Sequence, residues 1–298
     1  MNARLCEGRV CIVTGAGRGI GRGYAIDLAR HGAHVVVNDR GGAVDGTGVA
    51  ADPAADVVAE ITAAGGSAIA DQSDISSWSG AETLVQRALA TFGKLDVVVN
   101  NAGILRDRFL VNMSEAEWDA VFSVHAKGTF LMSRHAAAHW REQSAAGAPM
   151  TARIINTSSA SGLYGNVGQS NYGAAKMAIA GLTLITAAEL ARYGVTVNAV
   201  APAAMTRMTA GLGIEPRASL EPELVAPVVT WLASDASSHV TGRVFEVSGE
   251  LVAIAEGWSR GPTADAVATA TEAGAVIDAL LARARPNARL DGSVLAAR

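Results

Sequence analysis

Apolar residues fall into two alternating spacings along this chain. Short continuous runs at 10–13, 35–37 and 97–99 are rich in valine and isoleucine and stop at Thr-Gly or Asn. Runs of that kind predict strands buried on both faces. Between them apolar residues recur every three or four positions, as in Tyr24, Leu28 and Val57, Val58, Ile61, which predicts helices with one face on a core. The pattern places strands over 10–15, 33–39, 67–70, 95–100, 153–158, 195–200 and, last, 244–247. Helices follow the first strand and lie over 54–63, 83–92, 171–193 and 222–233. A capping box, Ser114 with Glu117, opens a single long helix to about Gln143. Strand–helix alternation implies an α/β fold, a Rossmann-type doubly wound parallel sheet with helices on both faces. No internal repeat or domain boundary is evident. One domain is expected over 1–250, with a C-terminal extension over 251–298 packed on it or extending from it.

The junction after the first strand carries chemistry. Thr14-Gly-Ala-Gly-Arg-Gly-Ile-Gly21 lies between an apolar strand and a helical pattern. Glycines there let the backbone approach a pyrophosphate, and the helix N-terminus faces its charge. The next strand ends in Asp39, roughly 20 residues on, where an acid holds a ribose 2′-hydroxyl and repels a 2′-phosphate. Arg18 and Arg40 point weakly the other way. NAD is therefore expected, with NADP the lesser alternative.

A second constellation is Ser159, Tyr172 and Lys176. Tyr172 and Lys176 are four residues apart and share one helix face. A phenol titrates near ~10, and an ammonium one turn away is expected to lower that value. A serine from a strand end adds a hydroxyl for a substrate oxygen. The trio suits proton transfer to an alcohol or carbonyl oxygen.

Composition narrows the alternatives. The chain has 298 residues, 50% of them apolar, and a net charge of −4. No basic patch suggests nucleic acid. No apolar run is expected to reach the ~18–20 residues of a membrane span, and the N-terminus lacks a signal peptide's apolar core. Cytoplasmic location is expected. Cys6 and Cys11 read as reduced thiols, and no His or Cys spacing suggests a metal.

Thr14-Gly-x-x-x-Gly-x-Gly21, Asn100-Asn-Ala-Gly103 and Ser159/Tyr172/Lys176, in that order, resemble the short-chain dehydrogenase/reductase family. Val37-Asn-Asp-Arg-Gly-Gly42, the stretch from Val98 to Arg108 and Ser158-Ser-Ala-Ser-Gly-Leu-Tyr-Gly-Asn166 are similar to one subgroup, the (3R)-hydroxyacyl-CoA dehydrogenase part of type 2 peroxisomal multifunctional enzymes. The resemblance implies Tyr172 as acid/base, Lys176 as its modifier and a ribose ligand, and Ser159 as holder of the substrate oxygen. It implies cofactor contacts at Gly15, Arg18, Gly19, Ile20, Gly21, Asp39, Asp74, Ile75, Asn101, Ala102, Gly103, Pro202 and Met205. His125 stands where the family usually has a water-holding asparagine. It reads either as a relay that titrates near pH 7 or as a packing residue. The family's Pro-Gly after the sixth strand is Pro202-Ala203 here, and Thr206 or Thr209 replaces its usual threonine.

The segment 203–219 is expected to cover the substrate, with Met205, Met208, Leu212 and Ile214 either lining an apolar wall or packing the lid. Arg106, Arg108 and Arg207 are either contacts for CoA phosphates or plain surface charge. The leading expectation is an NAD-dependent dehydrogenase of 3-hydroxyacyl-CoA, including sterol side-chain thioesters. Alternatives are a 17β-hydroxysteroid dehydrogenase, a 3-oxoacyl-carrier-protein reductase and, remotely, a dinucleotide sensor without turnover. A homodimer or homotetramer is expected.

Overall fold

The computed structural model describes residues 4–48, 52–148, 150–209 and 217–294. Strands β1 (Val10–Thr14), β2 (His34–Asn38), β3 (Ser67–Asp71), β4 (Val97–Asn100), β5 (Arg153–Thr157), β6 (Thr196–Pro202), β7 (Val244–Val247) and β8 (Val252–Ala255) form one sheet in the order β3-β2-β1-β4-β5-β6-β7-β8. The first seven pair in parallel. β8 returns antiparallel along β7, so β7 is not the last strand and residue 250 falls within the β7–β8 connection.

Alternation along the strands divides the core. Cys11, Val13, Val35, Val37, Val97 and Val99 pack with Tyr24, Leu28, Val57 and Val229. Those partners lie on α1 (Gly19–Arg30), α2 (Pro53–Ala63) and α8 (Ala226–Leu232). Val10, Ile12, Val36, Val98 and Ile154 face the other way, onto Leu84, Leu131 and Trp140 of α3 (Trp78–Phe92) and α5 (Gly128–Ala145). Two-sided burial explains why these strands read as unbroken apolar runs. Each fully buried Val, Ile or Leu contributes about 1.5–3 kcal/mol.

The long helix expected after Ser114 is interrupted. The capping box forms and opens α4 (Glu115–Phe122), but Ser123–Lys127 adopt a π-helical turn before α5. α6 (Ala160–Tyr164) is a short turn, and α7 (Ser170–Leu190) runs into a 3₁₀ turn ending at Tyr193. Contrary to the sequence expectation, Ser170–Tyr193 is long and apolar enough to cross a membrane by length and composition. In the fold this helix packs on β6, α6 and α4. A further helix, α9 (Ala270–Leu281), lies in the C-terminal segment.

Candidate active site

Parallel strands all point their C-terminal ends one way, and the candidate residues gather there. Gly15 (φ +62°) turns the chain out of β1, and a Cβ on it would lie 2.7 Å from Ala102 Cα. Thr14 Oγ1 accepts from the N–H groups of Asn101 (3.0 Å) and Ala102 (3.1 Å). Asn101 Nδ2 donates to the carbonyls of Thr14 (3.0 Å) and Gly15 (3.1 Å). The Asn-Ala-Gly segment is thereby fastened to the glycine turn, and Asn101 is engaged in that fastening. The N-cap of α1, Arg18, makes no side-chain cap bond, and the first turn, Gly19, Ile20 and Gly21, lines the cleft.

The cleft is lined by Gly15, Arg18, Gly19, Ile20 and Gly21, by Asp39, by Asp74 and Ile75, and by Asn101, Ala102 and Gly103. Asp39 accepts from Gly17 N (3.0 Å) and Gly41 N (2.8 Å), which fixes its carboxylate at the mouth of the turn. Arg40 is paired with Asp74 at 2.8 Å, and Arg18 reaches the Gly42 carbonyl at 3.5 Å. Both arginines that favoured a 2′-phosphate therefore have partners within the chain.

One wall was missed in the sequence. The glycine-rich loop after β2 crosses toward the β4 end: Leu105 N donates to Val44 O and Arg106 Nε to Asp45 O, each at 2.9 Å. Val44, Gly46 and Ile104 consequently line the cleft. Only a glycine spacing signalled this loop. At the opposite end, Thr206, Arg207 and Met208 line the cleft. Pro202 ends β6, and Met205 N donates to Leu220 O at 2.6 Å. Leu212 and Ile214 lie outside the described residues.

Ser159, Tyr172 and Lys176 come together beside this cleft. Ser159 is the N-cap of α6, where its Oγ accepts from Ser161 N at 3.2 Å. Its hydroxyl is also hydrogen-bonded to that of Tyr172. Lys176 Nζ lies 5.5 Å from the Tyr172 ring centre and donates to Thr157 O at 2.7 Å. Desolvation pushes the Tyr172 hydroxyl up to about 12, against the bond from Ser159, which pulls it down. Burial also pushes Lys176 down to about 7. This corrects the expectation of a phenol lowered by its lysine. In the protein alone burial dominates, because it penalises whichever form is charged.

His125 sits in the π-helical turn, only 1% exposed. Its ring meets the Tyr172 ring edge to face at 5.2 Å. Nε2 lies 3.0 Å from Ile104 N and 2.8 Å from Ile104 O, while Nδ1 is buried with no partner among the described residues. Burial, followed by the Lys176 charge, holds its pKa down to about 3. It therefore stays neutral at physiological pH, contrary to the expectation of titration near pH 7.

Asn171 was also missed. It is fully buried, donates to Arg106 O (2.9 Å) and Glu117 O (3.3 Å), and accepts from Tyr172 N (2.7 Å). Thus the start of α7 is tied to the segment after β4. Gly162 lets α6 touch α7, since a Cβ there would lie 2.7 Å from Lys176 Cβ.

Residues 9–215 match the short chain dehydrogenase family. The chain is 48% identical over 266 residues to hydroxyacyl-CoA dehydrogenase ChsB1 of Mycobacterium tuberculosis, covering 85% of this chain and 81% of that protein. It is 46% identical over 242 residues to peroxisomal multifunctional enzyme type 2 of Mus musculus, covering 81% of this chain and 32% of that longer protein. A crystal structure of a short chain dehydrogenase from Mycobacterium avium superposes with a TM-score of 0.87 at 53% identity, covering 96% of this chain and 98% of that one. A match running from the first strand past the sixth, with a solved relative that superposes over nearly the whole length, shows that this chain is an oxidoreductase of the short-chain dehydrogenase family.

Proposed function

We propose that the enzyme is an NAD-dependent dehydrogenase of 3-hydroxyacyl-CoA thioesters. The observation that carries the reading is the Ser159–Tyr172–Lys176 group beside a glycine cradle whose far end is an acid. The cradle suits a dinucleotide: a Cβ at Gly15 would meet Ala102, and the start of α1 offers uncapped N–H groups for a pyrophosphate. Asp39 would hold the adenosine ribose, Asp74 and Ile75 the adenine, and Lys176 the second ribose. When bound, NAD supplies the acceptor for the hydride leaving the alcohol carbon. Preference for NAD over NADP rests on Asp39 and on the pairing of Arg40 with Asp74.

The chain's own part is proton handling. Ser159 holds the substrate oxygen by a hydrogen bond. Tyr172 takes the hydroxyl proton during oxidation and returns one during reduction. Protonated Lys176 stabilises the phenolate. His125, being neutral, acts by holding position or a hydrogen bond rather than by titrating. The acyl-CoA assignment is supported by the name of one relative, the hydroxyacyl-CoA dehydrogenase that shares 48% identity. Phe130, Leu184 and Ile185 are 45%, 51% and 58% exposed, which supports a closed homo-oligomer built on α5 and α7.

The test is a turnover screen with NAD+ and NADP+ against 3-hydroxyacyl-CoA, hydroxysteroid and 3-hydroxyacyl-carrier-protein substrates. Highest kcat/KM with NAD+ and an acyl-CoA is expected. A higher value for the steroid or the carrier protein would overturn the substrate assignment.

A further inference from the structure

Two consecutive residues at the end of β5 hold opposite ends of Lys176. Thr157 O accepts from the ammonium at 2.7 Å, and Ser158 Oγ donates to the Lys176 carbonyl at 2.9 Å. Ser158 and Lys176 are 1% and 3% exposed. The same strand also carries a separate tie to α7, two helical turns along from Lys176. Asn156 Nδ2 donates to Thr183 Oγ1 and Asn156 Oδ1 accepts from Asn100 Nδ2, both at 2.9 Å. Asn100 Nδ2 also reaches Ser133 Oγ at 3.2 Å, so a buried polar chain runs from α5 through β4 and β5 to α7.

We infer that Ser158 is a positioning residue: its hydroxyl fixes the backbone of Lys176, and with it the placement of the ammonium and of the Tyr172 hydroxyl one turn earlier. The inference rests on the catalytic reading of Tyr172 and Lys176 given above. A bond at Nζ alone leaves a four-carbon stem free to swing about its attachment. A second bond at the carbonyl removes that freedom from the helix side. The carbonyl has a lone pair to spare, because a helical C=O accepts one N–H and can accept a second donor. Hence the Ser158 bond is not required to satisfy Lys176. It links the helix to the strand at the one residue whose head group must be placed. Misplacement of a reacting group by about 1 Å costs on the order of 10²-fold in rate.

The experiment compares Ser158→Ala, Ser158→Thr, Thr183→Val and Tyr172→Phe in the full chain. Each is measured for melting temperature and for kcat and KM with NAD+ and the best hydroxyacyl-CoA. Thr183→Val also removes a buried tie from β5 to α7, but two helical turns from Lys176, so it reports lost stability alone. Ser158→Ala is expected to lower kcat about tenfold or more with substrate KM within about threefold. Ser158→Thr should restore most of kcat, and Thr183→Val should keep kcat at a comparable loss of melting temperature. Wild-type kcat in folded Ser158→Ala would overturn the inference. So would an equal loss of kcat in Thr183→Val. If Tyr172→Phe stays active, the catalytic reading itself fails; if it is dead while Ser158→Ala is normal, only the positioning role fails. Should Ser158→Ala not fold, Ser158→Cys takes its place, with similar volume and a weaker donor, and the same outcomes decide.

Discussion

Replacing His125 by leucine separates a packing role from a role in the proton route. The change deletes the Nε2 partner of Ile104, which lies within 3.0 Å of both its N–H and its carbonyl. Ile104 is buried, and a buried N–H left unsatisfied costs about 1–3 kcal/mol. The same change also deletes Nδ1, a buried nitrogen without a partner among the described residues, and so removes a penalty of the same kind. The opposing terms leave a net change of about 0–2 kcal/mol, or a few degrees at about 2–4 °C per kcal/mol. His125→Leu is therefore expected to fold, and kcat carries the test. His125→Asn should keep substantial activity, because an amide can again bond the Ile104 backbone or a water. His125→Leu should lose about 10²-fold. Steady-state rates over about pH 6–9, with melting curves on the same samples, decide it. A folded His125→Leu enzyme with wild-type kcat throughout that range would reject the role and leave a packing residue. Acid stability offers a second check. With the pKa held down to about 3 from 6.5, the unfolded chain binds the proton first. Wild type therefore loses stability as pH falls from 6.5 toward 3, and His125→Asn should lack that component.

Tyr172→Phe should abolish turnover and leave NAD binding nearly intact. More than about a tenth of wild-type kcat would contradict the 10²–10⁴-fold worth of acid–base catalysis. Asp39→Ser or Asp39→Ala should weaken NAD+ and improve relative use of NADP+. A lost bond to a charged acceptor is worth about 1.5–3 kcal/mol, and an unchanged ratio of kcat/KM would show that the acid does not read the ribose. Gly162→Ala places a methyl 2.7 Å from Lys176 Cβ and 2.8 Å from its carbonyl carbon. Overpacking of about 1–3 kcal/mol and a fall in kcat are expected, and wild-type kinetics would show that α6 and α7 can part without consequence. Light scattering at micromolar concentration should report an oligomer; a monomer would refute the pairing of α5 and α7 faces.

Several features were legible because their cause is local. The valine runs of β1, β2 and β4 declare two-sided burial, and the glycines at 15 and 19 declare a turn that L side chains avoid, with φ of +62° and +54°. Spacing alone put Tyr172 and Lys176 on one face. Other features depend on neighbours distant in the chain. The π-helical turn at Ser123–Lys127 has an ordinary helical sequence, and what occupies it is a histidine ring wedged against Gly103 and Ile104. The proton affinities of Tyr172 and Lys176 follow from burial, which four-residue spacing does not encode. β8 reads poorly because Val252 and Ile254 are 61% and 53% exposed on an edge, so its pattern lacks the unbroken apolar run of a central strand.

The place of β1 in the sheet bears on how the chain is made. It is synthesised before the other seven strands of the sheet, yet it lies between β2 and β4, with Cys11 paired to Val35 on one side and Val97 on the other. On the β4 side its backbone waits for residues 97–100 to leave the ribosome, and at about 5–20 residues per second that interval lasts several seconds. Throughout that time an apolar strand has one edge open, the condition under which strands pair with the wrong partner. The cofactor turn, which is fastened through Thr14 to Asn101 and Ala102, cannot be completed before the same moment. Emergence of the fourth strand is thus both the point at which aggregation risk falls and the earliest point at which a nascent chain can capture its cofactor.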